Sequence, residues 1–182
     1  RDKDGVRMRV VYLTTQNSLR QRTQEIVEKN LEAIGIDVEL RFVDASLFFS
    51  DDPSDPTNYH QFPTDLQSYY DGNLIPHPDD YMGFWLCNQI PQKANGWNGE
   101  NIERACIPEY DELYNQAITE LDPEKRQELF IQMNDILIND VVMIPLVHLG
   151  QVSGVSPTLE GLDPTPWDAN VWNIKDWRRT LP

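Results

Sequence analysis

The segment from Val6 to Val43 constrains the architecture more than any other part of the chain. Val6 to Thr14 is rich in β-branched residues and places Val6, Met8, Val10, Tyr12 and Thr14 on one face, the pattern of a strand. Asn17-Ser18 then offers a helix start, with Ser18 and Gln21 at capping-box spacing. Leu19, Ile26, Val27, Leu31 and Ile34 recur at helical intervals, and Gly35 supplies the stop. Ile36 to Val43 alternates strictly, as a half-buried strand does. A strand, a helix and a strand joined this tightly predict parallel neighbours in one sheet. The fold class is therefore α/β.

The middle of the chain is irregular. Ser50 to Asn58 has loop composition, Leu66 to Tyr70 reads as a short strand, and Asp71-Gly72-Asn73 is turn chemistry. Tyr81 to Cys87 is an apolar helical stretch, with Tyr81, Phe84 and Trp85 spaced as helix-core residues. Pro91 to Gly99 is loop again. Regular structure returns with the stripe Tyr110, Leu113, Tyr114, Ala117, Ile118 and Leu121. Asp122-Pro123-Glu124 opens a second helix: Asp caps, Pro takes the first helical position, and Glu suits the dipole. Leu129, Phe130, Met133, Ile136 and Leu137 form its apolar face. Val141 to Val147 is a continuous apolar run and predicts a buried strand, with Pro145 marking an edge or a bulge. Trp167, Trp172 and Trp177 read as anchors strapping an extended tail onto the body.

Charge narrows the partners. The 182 residues carry 15 basic and 30 acidic side chains, a formal charge of −15. Such a surface repels polyanions, so neither nucleic acid nor an anionic membrane is an expected partner. Hydrophobic residues at 40% are enough for a sizeable core without metal or disulfide staples. The longest apolar stretch is far too short to span a bilayer. The chain opens Arg1-Asp2-Lys3-Asp4-Gly5, with no apolar leader of its own.

Few residues are grouped for chemistry. His60, His77 and His148 lie far apart, and neither Cys87 nor Cys106 belongs to a C-x-x-C pair, so no metal or other cofactor is expected. Asp51, Asp52 and Asp55 lack EF-hand spacing and read as a solvated acidic loop. There is no nucleophile elbow and no glycine-rich phosphate loop. Carboxylate pairs such as Asp79-Asp80 are frequent in so acidic a chain, which leaves a two-carboxylate glycoside hydrolase as a rival. Cys87 and Cys106 are equally compatible with a disulfide and with two separate buried thiols.

Aromatic residues are more informative. Tyr69, Tyr70 and Trp97 sit beside Gly and Asn in the irregular middle, where binding residues accumulate. Aromatic walls with a few polar groups describe a small-ligand site. The candidate ligand residues are therefore Tyr69, Tyr70, Asp71, Asn73 and Trp97, with no catalytic residue.

Several segments, in order, resemble the family 5 extracellular solute-binding proteins, the peptide/nickel type that serves ABC importers. Leu31 to Leu40 is similar to that family's Gly-Ile-Asp-Val segment, and Pro76 to Met82 to its Pro-Asp-Pro segment. Asn101 to Leu113, Asp122 to Asn134 and Val142 to Leu146 match further segments in sequence order. The resemblance implies a periplasmic-binding-protein type II-like lobe with a mixed sheet flanked by helices. Residues 1–182 would form a single lobe, the C-terminal half of a two-lobed clam shell. It further implies a non-enzymatic, monomeric binding protein that passes an oligopeptide or related small solute to an ABC permease. The setting would be extracytoplasmic, in a periplasm or as a membrane-tethered lipoprotein, with a signal sequence upstream of Arg1. In that setting the resemblance makes Cys87–Cys106 a disulfide. One departure stands out: Leu74 occupies the position where peptide binders of this family carry the Asp that pairs with the ligand's α-amino group, with Asp71 or Asn73 as the nearest substitutes. A domain that has lost binding and acts only as an interaction surface is the remaining rival.

Overall fold

Parallel pairing around a central strand organises the N-terminal part. The computed structural model describes residues 2–71, 77–147, 150, 152–165 and 171–180. Strands β1 (Asp2–Lys3) and β2 (Val6–Arg7) form a small antiparallel ribbon. Its two-residue turn, Asp4-Gly5, has positive φ at both positions, the geometry that matches strand twist in tight hairpins. The expected first strand is thus divided, and β3 begins at Arg9 (Arg9–Thr15). Helix α1 (Ser18–Ala33) follows, then β4 (Asp37–Val43), helix α2 (Ala45–Phe48) and β5 (Leu66–Gln67). The three-stranded sheet has the order β4-β3-β5, and both pairings are parallel. Among the described residues, antiparallel pairing is confined to the separate ribbons.

Local chemistry explains α1. The Asn17 side chain accepts from the backbone N–H groups of Leu19 and Arg20, and Gly35 leaves the helix at φ 82°. The docked face differs from the apolar stripe. Gln24 is buried, and Val27 and Leu31 are half-buried, whereas Leu19, Ile26 and Ile34 are exposed. The Gln24 amide is the reason: its Nε2 donates to the Tyr12 carbonyl at 2.7 Å and turns that face of the helix to the sheet. Central strand β3 is covered on both faces, so Tyr12, Leu13, Thr14 and Thr15 are all buried.

The second region is helical. It comprises α3 (Pro78–Met82), α4 (Pro108–Ala117) and α5 (Pro123–Asn139). After Met82 the chain tightens into a 3₁₀ turn at Gly83–Trp85 instead of continuing as α-helix. Pro108 and Pro123 occupy first turns, and Asp122 accepts from Glu124 and Lys125 N–H groups, as its sequence predicts. Met82, Trp85, Tyr110, Leu113, Ala117, Phe130, Met133 and Leu137 form one apolar core. The Tyr110 hydroxyl reaches that core satisfied, donating to the Met82 carbonyl at 2.7 Å. Cys87 and Cys106 are joined as a disulfide with Cα atoms 4.6 Å apart.

Two expectations fail beyond α5. Val141 to Val147 is not a buried strand: Ile144, Leu146 and Val147 are exposed, and no ladder forms. Val141 takes a left-handed conformation at φ 56°, which turns the chain, and Pro145 offers no N–H to a sheet. The tail also differs from a strap. Strands β6 (Leu159–Glu160) and β7 (Arg178–Arg179) pair antiparallel, while Trp172 donates to the Asp163 carbonyl and Trp177 to the Asn173 side chain. These bonds fold the tail onto itself; Trp167 and His148 lie outside the described residues. No helix among the described residues is long and apolar enough to cross a membrane.

Candidate functional site

Because β3, β4 and β5 run parallel, their carboxyl ends share one edge of the sheet. Ligands of open α/β sheets bind outside that edge. Thr15 ends β3 there, and Asn17 caps α1 beside it. Val43 ends β4, and Asp44 caps α2 through the Ser46 N–H. Gln67 ends β5, and Tyr69, Tyr70 and Asp71 follow after Ser68. The Thr14 hydroxyl donates to the Ser68 carbonyl at 2.7 Å and fixes the start of that segment.

Tyr69 is the centre of an aromatic cluster. Its ring centroid lies 5.4 Å from Tyr59 and 6.1 Å from both Phe48 and Phe49. Phe48 and Phe49 meet edge to face at 4.8 Å, and the Arg20 guanidinium lies 5.7 Å from the Phe49 ring. The His60 ring lies 4.0 Å from the Tyr59 ring, tilted by 42°. The Asn58 amide nitrogen donates to the carbonyls of Ser50 and Asp52, so its oxygen faces His60 and accepts from Nδ1 at 2.7 Å. The Nδ1 proton is thereby assigned, and Nε2 is left as an acceptor. Burial, and then the Arg104 charge, hold His60 below its ordinary pKa, so the ring is neutral at pH 7.

A loop from the helical region reaches His60, beside this cluster. Asn101 anchors it from within: fully buried, it donates to the carbonyls of Trp85, Leu86 and Ala105 and accepts from the Ala105 N–H. Gly99 passes so close to the Gln89 carbonyl that any Cβ would collide with it. The Arg104 guanidinium donates to the Ile102 and His60 carbonyls, at 2.8 Å and 2.9 Å, and ties the two regions together.

The loop brings carboxylates to the tyrosines. Burial pushes the Tyr59 hydroxyl up to about 12, with Glu100 and Asp71 adding to the shift. Tyr69 is raised further by burial, then by Glu103 and Asp71, and Tyr81 by burial, Asp71 and Glu103. Glu103 is raised to about 7, first by burial; Asp71 pushes in the same direction, while hydrogen bonds from its own backbone and from Trp85 oppose the shift. Glu100, at the rim, is also raised by burial and Asp71. All three tyrosines are therefore neutral hydrogen-bonding groups at pH 7, facing a negative field.

Of the residues nominated from sequence, Tyr69 lies in the aromatic cluster and Asp71 follows it at the same edge. Tyr70 is 55% exposed beside it. Trp97 is half-buried with φ 64°, and among the described residues no ring contact joins it to the tyrosines. Asn73 and Leu74 lie outside the described residues. Phe48, Phe49, Tyr59, Glu100 and Glu103 were missed. The Phe48-Phe49 pair following a strand end was the available signal, since two adjacent aromatics outside a long helix need a partner surface. Among the described residues no group of His, Cys, Asp and Glu is arranged to hold a metal ion. Asp52 and Asp55 instead accept from Ser54 and Thr57 in local turns.

No protein-family model matches the chain. Over 96 residues it is 31% identical to a dipeptide-binding protein of Pseudomonas aeruginosa, covering 52% of this chain and 17% of that protein. Over 151 residues it is 24% identical to the dipeptide-binding protein DppE of Bacillus subtilis, covering 82% of this chain and 24% of that one. The chain thus spans about a fifth of the length of these relatives. Among solved structures, NikZ from Campylobacter jejuni in complex with Ni(L-His) superposes with a TM-score of 0.76 at 18% identity, over 98% of this chain and 34% of that one. The architecture is therefore that of a lobe of a type II periplasmic-binding-protein fold. In sequence the chain is similar to part of two dipeptide-binding proteins, and in fold to part of NikZ.

Proposed function

We propose that the chain is the C-terminal ligand-binding lobe of an extracytoplasmic solute-binding protein that captures short peptides for an ABC importer. Residues 1–182 act as one lobe, monomeric and without catalysis, and a second lobe closes over the carboxyl edge of the sheet. The observation that carries this reading is the tyrosine cluster, faced by Asp71 and the Glu100–Glu103 loop, at the edge where α/β sheets bind ligands. Tyr69 and Tyr59 supply apolar walls, and Asp71 supplies the partner for the peptide ammonium that Leu74 cannot provide. Tyr70 and Trp97 complete the rim, and Asn73 is a further candidate ligand residue. The relatives' names support peptide over other solutes, and the Cys87–Cys106 disulfide fits an oxidising compartment. Mass spectrometry of small molecules released from the purified full-length protein tests it. Short peptides are expected; a protein that releases none, and binds none from a dipeptide library, would sink the reading.

A further inference from the structure

We infer that Asn98 is a site of spontaneous covalent modification, where the side-chain amide is lost and isoaspartate or aspartate takes its place. Ligand binding plays no part in it. The sequence holds two Asn-Gly pairs three residues apart, Asn95-Gly96 and Asn98-Gly99. Asparagine is thermolabile, and most so before glycine, where no Cβ shields the following nitrogen. The reaction needs only solvent water. The Gly99 backbone nitrogen attacks the Asn98 side-chain carbonyl carbon and gives its proton to solvent. A C–N bond forms to that nitrogen, and the former amide nitrogen leaves as ammonia. Water then opens the five-membered imide. Opening at the main-chain carbonyl gives isoaspartate, and opening at the side-chain carbonyl gives aspartate.

The fold separates the two pairs. Asn95 is held at both ends: its amide nitrogen donates to the Ile90 carbonyl at 2.9 Å, and its oxygen accepts from the Gln92 N–H at 2.9 Å. The Gly96 N–H, the nucleophile of that pair, donates to the Lys93 carbonyl at 3.2 Å. Asn98 is exposed, and its amide nitrogen reaches the Asn95 carbonyl at 3.4 Å, long for such a bond. Among the described residues its oxygen accepts no hydrogen bond, and the Gly99 N–H donates none. Attack at Asn95 must first break two side-chain bonds and release Gly96; attack at Asn98 meets neither obstacle. The product bears on the loop that carries Arg104 to His60. It adds a carboxylate ahead of Glu100 and Glu103, and isoaspartate lengthens the main chain just before Gly99, which has no room for a Cβ beside the Gln89 carbonyl.

The test incubates the full-length protein at neutral pH and follows residues 94–104 by mass spectrometry. Tryptic cleavage after Lys93 and Arg104 puts both pairs in one peptide, and backbone fragmentation tells isoaspartate from aspartate. Conversion at Asn98 is expected to outpace conversion at Asn95 by at least about tenfold, the scale set by two net hydrogen bonds. In denaturant the bonds that separate the pairs are gone, and the two are expected to convert at similar rates. Asn98→Gln, whose amide would have to close a six-membered ring, is expected to stop conversion at that position. Equal rates in the folded protein, faster conversion at Asn95, no conversion at Asn98, or the same ratio in denaturant would overturn it.

Discussion

The two regions of the molecule are built on opposite principles. The helical region, 78–140, is a continuous apolar core with a disulfide at its margin. The sheet region, 2–71, buries Thr14, Thr15, Gln24 and Asn58 as completely as it buries Phe48. Polar groups in a core add little net stability but hold segments in fixed positions when satisfied. The Gln24 Nε2 ties α1 to β3, although its Oε1 accepts no hydrogen bond among the described residues, while Thr14 sets the start of the Tyr69 segment and Asn58 sets His60. The contrast separates roles: one region is a scaffold, and the other positions an edge. The loop carrying Asn101, Glu103 and Arg104 is where the scaffold reaches that edge.

Breaking the scaffold should have the largest effect. Met133 is wholly buried in the α4–α5 core, so Met133→Ala is expected to cost about 2–5 kcal/mol in chemical denaturation. A comparable substitution on the exposed side of α1, Ile26→Ala, should cost only a few tenths of that. Equal losses would erase the contrast between the helical core and the weakly covered helix. Reducing the disulfide comes next. Its 19-residue separation predicts a loss of about 3 kcal/mol on the chain-entropy account, confined to the helical region, with hydrogen exchange in β3 unchanged.

The junction gives a smaller effect that depends on pH. Glu103 is raised to about 7 from its ordinary 4.5, so folding disfavours its ionised form. The stability it contributes is fully present below pH 4.5 and is lost as pH rises through 7. Glu103→Gln cannot ionise and should keep that stability. The variant is expected to match wild type near pH 4 and exceed it by about 3 kcal/mol at pH 8 in melts without ligand. A constant difference across this range would mean that Glu103 titrates normally. Smallest of all is the α1 cap: Asn17→Ala should cost about 1 kcal/mol, with Asn17→Asp retaining most of the stability.

Local chemistry was legible in the sequence where it acts over a few residues. The Asn17-Ser18 and Asp122 starts, the Gly35 stop and the parallel unit of β3, α1 and β4 all follow from spacing and residue type, although Asn17 caps α1 in place of the Ser18–Gln21 box. Tertiary choices were not. The stripe of α1 misled because Gln24, a polar residue, owns the buried face through a bond to a carbonyl 12 positions away. The run at Val141 to Val147 misled because hydrophobicity does not supply a ladder partner, and Val141 turns the chain aside. Half of the site was invisible for the same reason. Tyr69 meets Phe48, Phe49 and Tyr59 across a loop, and the Glu103 charge acts on it across the junction of two regions, so no periodicity records the arrangement.

Hydrogen–deuterium exchange with and without a bound dipeptide tests most directly whether the carboxyl edge of the sheet is the ligand site. Protection is expected in 44–49, 59–71 and 97–104, with 123–139 unchanged. Protection confined to 123–139, or absent from 59–71 when the peptide is bound, would contradict it.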